Sequence, residues 1–261
     1  MYQIDSILSK LDFKRKTIIV FDLDGVLAES KSDLSPEISE LLQDVLARKK
    51  VAIISGASFK QFQKQVLPFI ETGFENLYLL PTCGSRMYSY MDNQWVPIFQ
   101  NLLDDNERRK IIDKLALALT RYGHNPSTTY GPLIEDRETQ ITFSALGQEA
   151  PLDQKKQWDP DQKKRQEIKK ILDALIPEFE VRLGGTTSID ITRKGIDKSF
   201  GLNKIIEYFD YKMDEILFVG DALYPGGNDR PVLEMGIQCV EVKNPQDTQK
   251  LMSKIINQPE T

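Results

Sequence analysis

Residues suited to soft-metal or redox chemistry are scarce: there are two cysteines, Cys83 and Cys239, and one histidine, His124, in 261 residues. Neither cysteine belongs to a Cys-x-x-Cys pair, so a disulfide framework or a thiolate zinc cluster has nothing to build on, and both read as ordinary buried thiols. His124 lies in the turn-like run Tyr122-Gly123-His124-Asn125-Pro126, where a surface role is expected rather than catalysis. No stretch approaches the roughly 18 apolar residues that span a bilayer. The N-terminus carries Asp5 and Asp12 before any sustained apolar run, unlike a secretion signal. Basic excess is missing too: the net charge of −5 argues against a nucleic-acid footprint or an anionic membrane partner. With 15 Gly and 13 Pro the chain is neither collagenous nor of low complexity. A cytoplasmic enzyme or binding protein is expected.

At about 150 residues per domain, the length allows one large or two small domains. Three short runs are apolar throughout and rich in β-branched residues: Thr17-Phe21, Val51-Ile54 and Ile216-Val219. Such runs, bounded by Gly, Asp or Ser, predict strands buried on both faces of a parallel sheet, joined by Leu77-Leu80 and Gln238-Val242. Helical spacing lies between them at Pro36-Lys49, where Ser35 can cap and Pro36 suits the first position, and at Ser58-Ile70, Lys198-Phe209 and Gln246-Ile256. This alternation predicts an open α/β core with a parallel sheet. The middle differs. Long polar-faced helices at Asp104-Tyr122 and Asp161-Ile176, with strands at Gln140-Ser144, Glu180-Leu183 and Ser188-Thr192, suggest an α+β unit inserted into that core. The charged, Pro-containing stretch Ala150-Lys164 reads as an exposed loop leading into a helix. Residues 1–100 with 193–261 therefore form the expected core and 101–192 the insert, with hinges near 97–101 and 192–195.

Four polar sites follow predicted strands or open predicted helices. Asp22 and Asp24 stand in Phe21-Asp-Leu-Asp-Gly-Val-Leu27, at the carboxyl end of a strand, where open α/β sheets place their ligand sites. Residues i and i+2 of an extended chain point the same way. Two carboxylates held together are costly without a cation or a shared proton, and Mg²⁺, a hard ion that takes oxygen ligands and substrate phosphates, would offset that cost. Ser55-Gly56 ends the second strand and offers a hydroxyl and backbone N–H groups to a phosphate. Lys198 opens a helix. Gly220-Asp221 ends another strand and leads into Pro225-Gly-Gly-Asn-Asp229. No GxxxxGK[ST] loop follows any predicted strand, which sets aside a P-loop nucleotide site.

The order Asp-x-Asp-Gly, Ser-Gly, Lys, then Gly-Asp with Asn-Asp resembles the four motifs of the haloacid dehalogenase superfamily of phosphotransferases. The insert resembles that superfamily's type IIB cap (C2). Within the superfamily the chain most resembles the eukaryotic-type phosphomannomutases and their bacterial phosphatase-like relatives. The stretches Gly131-Pro-Leu-Ile-Glu-Asp-Arg137 running on to Ser144-Ala-Leu-Gly147, Gly184-Gly-Thr-Thr-Ser-Ile-Asp190 and Pro225-Asp229 carry that likeness. The resemblance implies a Rossmann-like core and Mg²⁺ as cofactor. It makes Asp22 the nucleophile that becomes an aspartyl phosphate. Asp24 is then the general acid and base. Asp22, the backbone carbonyl of Asp24 and Asp221 would hold the metal, with Asn228 and Asp229 in or next to its shell. Ser55 and Lys198, with Gly56 beside them, would hold the phosphate oxygens. A homodimer through the cap is allowed.

In the phosphomannomutases a cap clamp of arginines, a Ser and an Asp holds a second phosphate. Here Arg137, Ser188 and Asp190 are kept, while Gln148, Lys155 and Lys31 stand where the family pattern has Arg. Lys offers a point charge in place of a bidentate fork, and Gln offers none. A weakened clamp favours a Mg²⁺-dependent phosphatase of a small phosphorylated sugar or similar metabolite. The alternative is a phosphomannomutase using the same aspartyl phosphate. A third reading, a non-catalytic phosphosugar-binding protein, sits poorly with the complete set of carboxylates.

Overall fold

In a computed structural model, residues 4–9, 11–29 and 32–258 are described. The chain runs through α1 (Ile4–Leu8), β1 (Ile18–Asp22), α2 (Pro36–Leu46), β2 (Lys50–Ile54), α3 (Phe59–Gln65), β3 (Leu77–Leu80) and the hairpin β4 (Arg86–Met91) and β5 (Gln94–Gln100). There follow α4 (Asp105–Tyr122), β6 (Ile134–Asp136), β7 (Ile141–Ser144), α5 (Leu152–Trp158), α6 (Lys163–Leu175), β8 (Phe179–Gly184) and β9 (Ser188–Arg193). The last elements are α7 (Lys198–Phe209), β10 (Ile216–Gly220), α8 (Arg230–Glu234), β11 (Gln238–Glu241) and α9 (Pro245–Ile256). Two compact units result, residues 1–100 with 197–261, and residues 101–196.

The larger unit holds a seven-stranded sheet in the order β11-β10-β1-β2-β3-β4-β5. The five central and flanking strands β11, β10, β1, β2 and β3 pair in parallel, and β4 and β5 add antiparallel. Every residue of β1 is buried. Ile19 and Phe21 pack on one face with Leu42, Val45 and Leu251, whereas Ile18 and Val20 pack on the other with Leu202 and Ile205. A strand covered on both faces has no polar side to show, which is why its sequence reads as a continuous apolar run. At α2 the hydroxyl of Ser35 accepts from the Ile38 N–H at 3.3 Å, and Pro36 occupies the first turn.

The smaller unit is a four-stranded antiparallel sheet, β6-β7-β9-β8, with α4 and α6 on one face. Ile141, Phe143, Ile189 and Ile191 alternate inward to meet Ile111, Leu115, Ile168 and Leu172. Gln140, Thr142 and Asp190 take the intervening positions.

Several details differ from the sequence reading. The helix expected over 58–70 stops at Gln65 and continues as a 3₁₀ turn at Leu67–Phe69, because Pro68 lacks an N–H and disfavours helical geometry just before it. The hairpin of β4 and β5 was not foreseen. Its two-residue turn, Asp92-Asn93, has both φ angles positive, at 51° and 61°, and Asp and Asn tolerate the left-handed conformation such turns require. The stretch 150–164 is largely exposed and leads into a helix as expected, but it is not simply a loop. It contains α5, and Lys155 and Asp159 are buried. His124 is half-buried instead of on the surface, with its ring edge-on to Phe143 and Trp158 and its Nε2 3.1 Å from the Ala145 carbonyl. Neither cysteine forms a disulfide, and both are half-buried. Residues 97–100, all but the last residue of the hinge expected near 97–101, belong to β5. Among the described residues no helix is long and apolar enough to cross a membrane.

Candidate active site

The parallel register sets Asp22 beside Ile54 and Phe21 beside Val219. The chain segments leaving β1, β2 and β10 at their carboxyl ends thus start side by side: Asp22 closes β1, Ser55 follows β2, and Asp221 follows β10. This is the crevice at which an open parallel sheet binds its ligand.

Asp22 is 3% exposed. Its Oδ1 accepts from the Leu23 N–H at 2.8 Å, and its Oδ2 lies 2.8 Å from Lys198 Nζ. Lys198 is the first residue of α7, whose start is capped by the Asp197 carboxylate accepting from the Phe200 N–H. Its ammonium, 1% exposed, makes a second contact of 2.5 Å to Asp229 Oδ1. The other oxygen of Asp229 accepts from the N–H groups of Asp221 and Ala222, both at 3.0 Å. Asp229 therefore seats the lysine and the backbone that presents Asp221.

Burial and the neighbouring charges of Asp229 and Asp221 push the Asp22 carboxyl up to about 7 against the opposing pull of Lys198. Lys198 itself is held above the ordinary lysine range. Burial works the other way, but the carboxylates of Asp22 and Asp229 outweigh it. Asp221 is raised by burial first and by Asp229 next. One lysine does not neutralise three carboxylates. Oxygens of Asp22, Asp221 and Asp229 lie within 4.8 Å of one another, the one such acidic cluster among the described residues. Clustered hard oxygen donors with excess negative charge fit a divalent cation.

Glycine permits this crowding. Gly25 has φ +82°, and a Cβ on it would sit 2.2 Å from Asp221 Oδ2. Asp24, half-buried, is in a short bridge to Ala28, and the Gly25 N–H donates to the Ala28 carbonyl at 2.7 Å. Ser55 is buried beside Asp22's strand, with its Oγ accepting from the Ala57 N–H at 3.1 Å. Gly56 adjoins the turn that carries Cys83. Asn228 is exposed. Lys31 lies outside the described residues. The loop after β3 also seats α7: a Cβ on Gly84 would come within 2.3 Å of Gly201 Cα. This close approach, one turn along from Lys198, was missed in the sequence; a glycine within the expected helix was its only trace.

The remaining expected residues belong to the smaller unit. Arg137 pairs with Glu135 at 2.7 Å. Ser188 is buried at the start of β9. Asp190 Oδ1 accepts from Gln140 Nε2 and Thr142 Oγ1, each at 2.8 Å. The Gln148 Nε2 is buried with no hydrogen-bond partner, while the Gln148 backbone carbonyl accepts from Lys155 Nζ at 2.9 Å. Gln140 and Thr142 were not singled out in the sequence, although their alternation with Ile141 and Phe143 marks a polar strand face. Arg165, fully buried, was hidden in the basic run Lys163-Lys-Arg-Gln166.

The model of the family described as eukaryotic phosphomannomutase matches residues 38–258. That range takes in Ser55, Lys198, Asp221 and Asp229; Asp22 and Asp24 precede it and are joined to them by the fold. A probable phosphomannomutase of Caenorhabditis elegans is 26% identical over 251 residues, covering 93% of this chain and 96% of that protein. A phosphomannomutase of Schizosaccharomyces pombe is 27% identical, covering 93% and 95%. Among solved structures, a haloacid dehalogenase-like hydrolase from Bacteroides thetaiotaomicron aligns with a TM-score of 0.64 at 15% identity, over 92% of this chain and 99% of that one. A trehalose-6-phosphate phosphatase of Aspergillus fumigatus aligns at 0.57 and 16%, covering 98% of each chain. At such identities the structural likeness shows the fold alone. Taken with the family match, it places the acidic cluster in a phosphotransferase enzyme of the haloacid dehalogenase superfamily, and the chain belongs to the eukaryotic phosphomannomutase family.

Proposed function

We propose that the protein is a phosphohexomutase that interconverts hexose 1- and 6-phosphates through an aspartyl phosphate on Asp22, with Mg²⁺ as its metal. The observation that carries this reading is the buried Asp22 carboxylate clamped by Lys198 within the Asp22-Asp221-Asp229 cluster, in a chain matched to the mutase family through the inserted unit. Asp22 attacks phosphorus as the bond to the sugar oxygen breaks, and Asp24 gives that oxygen a proton. The sugar so attacked is a hexose bisphosphate, which forms when the free hydroxyl of a hexose monophosphate, giving its proton to Asp24, attacks the aspartyl phosphate and releases the Asp22 carboxylate. Lys198 and Ser55 hold oxygens of the transferring group. The carboxylates of Asp22 and Asp229 outweigh burial and hold Lys198 above the ordinary lysine range, so it meets the transferring group as a cation. When bound at Asp22, Asp221 and the Asp24 carbonyl, with Asn228 and Asp229 in or next to its shell, Mg²⁺ would offset the repulsion between carboxylate and phosphate.

Hydrolysis of the aspartyl phosphate by water is a second reading, favoured by the smaller unit. Arg137 is paired with Glu135, Lys155 is buried against a backbone carbonyl, and position 148 is a neutral Gln. That set offers little free positive charge to retain a bisphosphate. One experiment separates the two. Mannose 1-phosphate, Mg²⁺ and a trace of hexose bisphosphate should yield mannose 6-phosphate, and Asp22→Asn should abolish the conversion. Release of inorganic phosphate without any mannose 6-phosphate overturns the mutase in favour of the hydrolase, and activity that survives Asp22→Asn overturns both.

A further inference from the structure

Arg165 and Asp159 form an ion pair in the interior of the smaller unit, with side chains 2% and 0% exposed and an Nε to Oδ2 distance of 2.7 Å. Asp159 also accepts from the N–H groups of Lys164 and Arg165, at 3.0 and 3.2 Å, and so caps the start of α6. Arg165 Nη1 then reaches to the turn between β8 and β9, where it donates to the carbonyls of Gly184 at 3.0 Å and Gly185 at 2.8 Å. Two successive glycines have the greatest backbone freedom and no side chain by which to be fastened. Their carbonyls are what the protein can grip, and a guanidinium is the side chain able to bond a carboxylate and two carbonyls at once.

The turn matters because Asp190 rests against it. A Cβ on Gly184 would lie 2.4 Å from Asp190 Oδ2, while Asp190 Oδ1 is tied to Gln140 and Thr142. The carboxylate is thus confined between the Gln140 and Thr142 side chains and the Gly184 backbone, and Gly184 is confined by Arg165. A buried ion pair adds little net stability over a well-packed apolar substitute. Its geometry is the more informative property.

We propose that Arg165, held by Asp159, is a positioning residue that fixes the Gly184-Gly185 turn and, through it, the Asp190 carboxylate for recognition of the sugar phosphate. This rests on the reading of Asp190 as a substrate-binding residue. Because Arg165→Met alone would strand a buried carboxylate, the test uses the neutral double variant Asp159→Asn/Arg165→Met. A second variant, Gly184→Ala, pushes on Asp190 with the ion pair left in place.

Each variant is assayed with mannose 1-phosphate and with acetyl phosphate, which has no sugar to be recognised. Circular dichroism melts check that each variant is folded. Both variants should raise KM for the hexose phosphate by about 10–100-fold, the order expected when a recognition group is misplaced by about 1 Å. Their kcat on acetyl phosphate should stay within about twofold, and Arg165→Lys should recover part of the KM. Loss of both activities in parallel, or an unchanged KM in variants that are folded, overturns the proposal. Asp190→Ala separates the two layers. If it raises KM while the Arg165 and Gly184 variants do not, the positioning role alone falls; if it leaves KM unchanged, the substrate role of Asp190 falls and the proposal with it.

Discussion

Replacing Lys198 by Met tests whether the lysine proposed to hold the phosphoryl group is also a structural counter-charge. The ammonium lies 2.8 Å from Asp22 and 2.5 Å from Asp229, and all three side chains are at most 5% exposed. Met has similar length and no charge, so packing is largely kept while two buried carboxylates lose their partner. Breaking a buried pair from one side costs about 3–5 kcal/mol. For a unit of this size each kcal/mol moves Tm by about 2–4 °C, so the expected drop is about 6–20 °C. Circular dichroism melts in chelator would show it. Adding millimolar Mg²⁺ should recover part of the loss, because a cation at Asp22 and Asp221 replaces some of the missing charge. Phosphoryl transfer should fall by about 10²–10³-fold, as when one fixed donor to a transferring group is removed. A melt within about 2 °C of the parent would refute the reasoning, since one kcal/mol or less is too little for stranded buried carboxylates.

Two further outcomes follow from the geometry. Gly25→Ala places a methyl group 2.2 Å from Asp221 Oδ2 at a φ of +82°; the left-handed backbone alone costs about 1–2 kcal/mol, and calorimetric titration should show Mg²⁺ binding weakened at least tenfold. Unchanged affinity would separate Asp221 from the metal. Burial holds His124 below its ordinary range, with its bond to the Ala145 carbonyl working the other way. The unfolded chain therefore takes up the His124 proton first. This group's contribution is full above pH 6.5 and is lost as the pH falls from there toward the lowered native value. The loss of stability between pH 7 and 5, followed by Trp158 fluorescence, should be smaller in His124→Gln; an equal slope would show that His124 does not titrate in that window.

Much of the candidate site in the larger unit was legible because its signals are local. Asp22, Ser55 and Asp221 each end a short apolar run, and a parallel sheet brings the carboxyl ends of its strands together whatever the loops do. Lys198 was visible only through the motif order, since a lysine opening a helix is ordinarily solvated. Its burial between Asp22 and Asp229 depends on α7 approaching the 82–84 turn at Gly84 and Gly201, a contact across more than a hundred residues. The smaller unit was less legible. Lys155 and Arg165 sit in a run of charges that has the pattern of a solvated surface, yet both are buried because partners distant in the chain or in a neighbouring turn satisfy them.

The scarcity of cysteine already set aside a disulfide framework and a thiolate zinc cluster, and strand periodicity with the four motif positions marked the core, its ligand end and the side chains proposed to act there. Those are properties of neighbours in the chain. Which carboxylate seats the lysine, how far Asp22 is raised, and which buried arginine holds the turn beside Asp190 were decided by the tertiary structure. Each of these depends on distances of a few ångströms between residues far apart in sequence, and electrostatic and hydrogen-bond energies in a dry interior are set by those distances.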